Sequence, residues 1–95
     1  MKGGDESSFF CYMVRCADGT YYTGWSTDPE RRVRQHNKGL GAKYTRMHAP
    51  VQLVYVEQLP GRSEAMKRER DIKALPRPKK EALVHSYHAN STENE

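Results

Sequence analysis

The sequence is poor in cysteine, tryptophan and phenylalanine and in long apolar runs. Its 95 residues include two cysteines, one tryptophan and two phenylalanines, and 36% are hydrophobic. Cys11 and Cys16 are five positions apart. On a single strand their Cα atoms would lie about 16 Å from each other, which excludes a disulfide between them. No C-x-x-C pair is present to start a zinc site, so both read as reduced core residues. No stretch approaches the ~20 apolar residues of a membrane span, and no basic-then-apolar leader opens the sequence. The expectation is a cytoplasmic protein with no membrane partner. A chain this short cannot hold two separate cores, and the lean apolar content predicts modest stability.

What the sequence does have is charge. Lys and Arg total 16 against 12 Asp and Glu, a formal +4. A mildly basic small domain is compatible with a polyanionic partner, but charge alone favours the plainer reading of a solvated surface with no partner. Residues 1–8 are Gly-rich and polar, and residues 86–95 are polar apart from Tyr87. Both read as disordered ends around a single domain at 9–85.

Phe9 to Cys16 reads as a strand with Phe10, Tyr12, Val14 and Cys16 on one face. Tyr21 to Trp25 reads as a second strand. Ala17-Asp18-Gly19 between them predicts a three-residue hairpin with Gly19 left-handed. That register opposes Val14 to Tyr22 and Tyr12 to Gly24, so Tyr12 and Tyr22 become diagonal neighbours on one face. Asp28 caps a helix with Pro29 in its first turn, ending near Lys38 before Gly39. Gly39 to Met47 is a loop with a short helical turn at Ala42 to Thr45. Val51 to Glu57 is a third strand. Ser63 caps a helix to about Ala74, Pro76 and Pro78 break the chain, and Lys79 to His85 forms the last helix. The fold class is α+β, in the order β-β-α-β-α-α around a small three-stranded antiparallel sheet.

Four features could carry chemistry. Tyr12 and Tyr22 sit beside Gly24, whose missing side chain leaves room for close approach; the plain alternative is two core aromatics. Arg32 and His36 share one helix face and could clamp a phosphate and move a proton; the plain alternative is a solvated charged face. Glu69 lies within one turn of Ala65, Met66 and Ile72, which define an inward stripe, and an inward carboxylate needs a partner. A salt bridge to Lys73 or Arg62 would satisfy it. So would a hard dication, Mg²⁺ or Mn²⁺, completed by water and substrate phosphate. Lys43, Tyr44, Thr45 and Arg46 mix cationic, aromatic and hydroxyl groups suited to nucleic-acid contact, or form an ordinary polar loop.

In this order the residues resemble the GIY-YIG nuclease family. Cys11-Tyr12-Met13 and Tyr22-Thr23-Gly24 match the two half-motifs, the Arg32-x-x-x-His36 helix follows, and Glu69 falls in the helix after the third strand. The stretches from Cys16 to Thr20, Arg31 to Thr45 and Glu64 to Lys73 look most like small stand-alone bacterial members. The resemblance implies an endonuclease that hydrolyses phosphodiester bonds in DNA with one Mg²⁺ or Mn²⁺, in repair or recombination. It implies that Glu69 binds the metal, Arg32 engages the scissile phosphate, and Tyr12, Tyr22 and His36 complete the catalytic set. Tyr12 and His36 both stand as candidates for the general base. Arg31, Lys43, Tyr44 and Arg46 are expected nucleic-acid contacts. Branched or damaged DNA is the expected substrate, with specificity supplied by shape or by a protein partner. The alternative is a non-catalytic nucleic-acid-binding adaptor on the same fold.

Overall fold

The computed structural model describes residues 8–40 and 47–93, with side chains described to residue 89. The expected loop turn at 42–45 and the contacts assigned to Lys43, Tyr44 and Arg46 lie outside the described residues. The described elements are β1 (Phe9–Cys16), β2 (Tyr21–Ser26), α1 (Pro29–Asn37), β3 (Val51–Leu59), α2 (Arg62–Lys73) and α3 (Arg77–Glu93). The three strands form one antiparallel sheet in the order β2-β1-β3.

The hairpin is the one the sequence predicts. Gly19 has φ +88°, and the Cys16 amide donates to the Thr20 carbonyl at 2.8 Å. Val14 faces Tyr22 and Tyr12 faces Gly24. Asp18 fixes the turn further, accepting from the Thr20 amide at 3.1 Å and its hydroxyl at 2.7 Å.

As the central strand, β1 is buried on both faces: Cys11, Tyr12, Met13 and Val14 are all at most 1% exposed. Tyr12, Val14 and Cys16 pack with Val51 and with Val33 from α1. Cys11 and Met13 pack with Val54, Tyr55 and Ile72, flanked by Leu83, Val84 and Tyr87 from α3. Thus α1 covers one face of the sheet, and α2 and α3 cover the other. A register shift against β3 between Met13 and Val14 gives β3 one extra residue there, and Val54 and Tyr55 both join the second core. Both cysteines are free and buried.

Helix boundaries differ from the sequence expectation in three places. The N-cap of α2 is Gly61, not Ser63, and it makes no side-chain capping bond; Glu64 in the first turn complements the helix dipole instead. Met66 is 39% exposed, so the inward stripe of α2 consists of Ala65 and Ile72 without it. The last helix starts at Arg77 and runs to Glu93, well past His85. Pro78 fits because the first turn needs no amide donor there, and Tyr87 anchors the added turns edge-on to Tyr55 at 5.8 Å between ring centroids. The expected tail from residue 86 is therefore helix through Glu93.

No described helix is long and apolar enough to cross a membrane. The Tyr87 packing sets a test of the longer helix. Tyr87→Ser should cost about 1–2 kcal/mol in urea unfolding, from reduced apolar burial and removal of the ring pair; a change within error would place residues 86–93 outside the folded unit.

Candidate functional site

The site begins with Gly24. A Cβ built there would stand 2.8 Å from the Tyr12 hydroxyl oxygen and 2.9 Å from its ring carbon. Only glycine lets the Tyr12 ring lie flat across β2. In that position the Tyr12 hydroxyl meets His36 Nε2 at 3.2 Å, in a buried hydrogen bond linking β1 to α1. Tyr12 is 1% exposed and His36 is fully buried. Tyr22 approaches His36 edge-on, with ring centroids 5.5 Å apart. The two tyrosines thus share a face as the hairpin register requires, and His36 lies against both.

Two caps hold α1 in place. Asp28 accepts the Arg31 amide at 3.1 Å, with Pro29 buried in the first turn. At the other end Asn37 acts as a surrogate strand: its Oδ1 accepts the Val51 amide at 2.6 Å and its Nδ2 donates to the Val51 carbonyl at 3.0 Å. This clasp ties the residue after His36 to the start of β3. It has no sequence signal beyond the helix-end position of an asparagine.

Arg32 lies one turn before His36 on the same face. Its Nη1 donates to Gln35 Oε1 at 3.0 Å, and it lines a shallow groove of about 180 Å³ with Ser26, Thr27, Asp28, Arg31 and Gln35. The Tyr12 phenol is pushed up from 10.0 to about 12, first by burial and then by Tyr22; Arg32 beside it opposes the shift, and Glu69 adds to it. His36 is pushed below the usual histidine value by burial and by Arg32. At neutral pH the phenol keeps its proton and the imidazole is uncharged.

Glu69 sits four residues after Ala65 and three before Ile72, both fully buried, so it shares the packed face of α2. Its side chain is 19% exposed and pairs with Lys73 at 2.9 Å. Next to it, Arg68 donates to Glu57 Oε1 on β3 at 2.8 Å, and Glu57 also accepts from the Tyr55 hydroxyl at 2.7 Å. That network fixes how α2 lies on the sheet. Glu69 contributes to the fields at Tyr12 and at Cys11, and its partner Lys73 lines a groove of about 330 Å³ with Tyr21, Tyr22, Thr23 and Lys80.

The structure therefore gathers Tyr12, Tyr22, Arg32 and His36 into one cluster and sets Glu69 within electrostatic reach of it. Arg32 and Tyr22 line separate shallow grooves rather than one deep cavity. Arg31 stands beside Arg32. His48, in contrast, pairs with Asp18 at the hairpin tip at 3.5 Å. Among the described residues no three His, Cys, Asp or Glu side chains gather to hold a metal. A dication here would rest on Glu69 alone with water and phosphate, a donor set that suits Mg²⁺ or Mn²⁺ rather than a zinc-type cage.

The raised Tyr12 pKa has a consequence for stability. Between pH 10 and about 12 the unfolded chain loses the Tyr12 proton while the folded chain keeps it, so stability falls as pH rises through that window. Cys11, raised by burial from 9.0 to about 12, adds a fall of the same sign from pH 9. Tyr12→Phe should flatten the fall above pH 10 by an amount on the order of 2 kcal/mol, read by urea unfolding across pH, and leave the Cys11 part. An unchanged slope would mean that Tyr12 is solvated.

Comparison with known proteins agrees with this architecture. The chain is 57% identical over 72 residues to a UPF0213 protein of Halobacterium salinarum, covering 76% of this chain and 94% of that one. The solution structure of an E. faecalis protein superposes with a TM-score of 0.57 at 43% identity, over 86% of this chain and 88% of that one. The solution structure of a Bacillus halodurans UPF0213 protein gives a TM-score of 0.53 at 45% identity, over 82% and 83%. The GIY-YIG catalytic domain matches residues 8–82, which takes in all three strands and every residue of the cluster, and the chain belongs to that family.

Proposed function

We propose that the protein is a divalent-metal-dependent endonuclease that hydrolyses phosphodiester bonds in DNA, acting in repair or recombination. The observation that supports this most is the buried Tyr12–His36 hydrogen bond with Arg32 beside it and the inward Glu69 within its field. A hydrophobic core has no use for that set of groups, and hydrolysis of a phosphodiester uses each of them.

Glu69 would hold one Mg²⁺ or Mn²⁺, exchanging its bond to Lys73 for the ion. When bound, such an ion polarises a non-bridging oxygen and stabilises the leaving 3′ oxygen. Arg32 binds the scissile phosphate and offsets the charge that builds on it in the transition state. Tyr22, the partly exposed tyrosine, holds the attacking water. Of the two candidate bases, His36 is the better suited: it is uncharged at neutral pH, whereas Tyr12 is held protonated. The water gives up a proton across the tyrosine hydroxyls to His36 as its oxygen attacks phosphorus. The P–O bond to the 3′ oxygen breaks, and that oxygen takes a proton from solvent.

A second reading, a nucleic-acid-binding adaptor, draws support from the Glu69–Lys73 bond, since a cation already satisfies the carboxylate. Cleavage assays on linear, nicked and branched DNA with Mn²⁺ separate the two. The nuclease reading expects cutting that is abolished by Glu69→Ala and falls about 10²–10³-fold in Arg32→Ala, with DNA binding retained in Glu69→Ala. Cutting that survives Glu69→Ala overturns the assignment of that residue. Salt-sensitive binding with no cutting by any form supports the adaptor.

A further inference from the structure

One corner of the sheet is left uncovered by α1. Ser26, Phe10 and Gln58 form one row across the sheet, and Val51 lies at the other end of β3, opposite Cys16. The helix starts just past Ser26 on β2 and ends in the Asn37 clasp on Val51. It therefore crosses its face from one corner to the opposite one and leaves the Phe10–Gln58 end of β3 open. A groove of about 460 Å³ lies there, larger than either groove at the site. Half-buried Phe10, Leu53 and Val56 line it from the sheet, Pro29 from α1 and Tyr87 from α3.

The same corner has an open backbone edge. In an antiparallel sheet the main-chain groups of successive residues point to alternate sides of the strand. Cys16 bonds toward β2, through its amide to the Thr20 carbonyl, so Val14, Tyr12 and Phe10 point that way too. The β3 residues opposite them turn their main chain away from β1. Val51, opposite Cys16, does so, and there Asn37 takes both its amide and its carbonyl. The next outward residues are Leu53, Val56 and Gln58, opposite Val14, Tyr12 and Phe10. Among the described residues nothing bonds to their main-chain groups.

The groove also opposes the chain in charge. The protein carries +4 overall, yet Asp28 and Glu30 line this groove and no cation does. Asp28 caps α1 with one oxygen, and among the described residues neither carboxylate is in an ion pair. We infer that an extended segment of another protein, apolar with flanking basic residues, docks here as a strand added to β3. Its main chain bonds the outward groups of Leu53, Val56 and Gln58. Every second side chain enters the groove: the apolar ones meet Phe10, Leu53 and Val56, and a lysine or arginine reaches Asp28 and Glu30. Nucleic acid would be repelled by both carboxylates. A second copy pairing through its own β3 fits less well, because that strand brings no lysine or arginine to the acids. The inference makes no use of the nuclease reading.

The test is an NMR titration of the full chain with a capped peptide, Lys-Thr-Val-Thr-Val-Thr-Lys, whose lysines and valines share one face of a strand. Shifts should centre on the Leu53, Val56, Gln58 and Glu30 amides, and hydrogen exchange at the first three should slow. Replacing both lysines by glutamate, or both valines by serine, should weaken binding about fivefold or more. Methylating the two valine nitrogens should abolish the exchange protection. Glu30→Lys, at an exposed position, should reverse the preference between the lysine and glutamate peptides, with the melting temperature confirming folding. Equal binding of the lysine and glutamate peptides overturns the role of the acids, and equal binding of the valine and serine peptides overturns the groove. No shift at Leu53, Val56 or Gln58 in millimolar peptide overturns the site. Protection of those amides before peptide is added overturns it too, because the edge is then already covered, in a dimer by a second copy. Neither DNA nor metal is present, so the cleavage assay of Glu69 stands or falls separately.

Discussion

The site depends on one buried hydrogen bond, between the Tyr12 hydroxyl and His36 Nε2. A phenol and an imidazole taken out of water each need a partner, and here each is the other's. The bond forms only because Gly24 leaves the space in which the Tyr12 ring lies. It also fixes α1 over the sheet, with Asp28 capping one end and the Asn37 clasp on Val51 holding the other. Arg32, one turn away from His36, inherits its position from the same anchors.

Electrostatics then differentiate the cluster. Burial raises the phenol and lowers the imidazole, so two groups that share a hydrogen bond are driven apart in proton affinity. Arg32 remains the cation beside them, and Glu69 arrives from the opposite layer on a helix whose inward face is defined by Ala65 and Ile72. The Arg68–Glu57–Tyr55 network explains why that helix does not rotate: its arginine is bonded to the sheet immediately beside the carboxylate. A fold this small thus carries these groups on β1, β2, α1 and α2, with Arg32 and Tyr22 in separate shallow grooves and no deep cavity between them.

Much of this is legible in the sequence because local chemistry decides it. Asp18-Gly19 sets the hairpin, the hairpin sets the register, and the register puts Tyr12 beside Gly24 and Tyr22. Asp28-Pro29 starts α1, and a four-residue spacing aligns Arg32 with His36. What the sequence hides is decided by tertiary packing. Tyr87 looks like an isolated aromatic in a polar tail until Tyr55 is seen to receive it. Met66 has an inward spacing but finds no core. Asn37 ends a helix in the ordinary way, and its bonds to Val51 depend on where β3 begins. Ser63 is a better capping residue than Gly61, yet the chain enters α2 from the end of β3 and turns two residues earlier.

The central claim is that the carboxylate of Glu69 and the Tyr12–His36–Tyr22 cluster face one metal-binding locus. Paramagnetic line broadening by Mn²⁺ in an NMR titration of the full chain tests it most directly. The account predicts selective broadening of the Glu69, Tyr12, Tyr22 and His36 signals, and its disappearance in Glu69→Gln. Broadening centred instead on Asp28 and Glu30 at the start of α1, unaffected by Glu69→Gln, would contradict it.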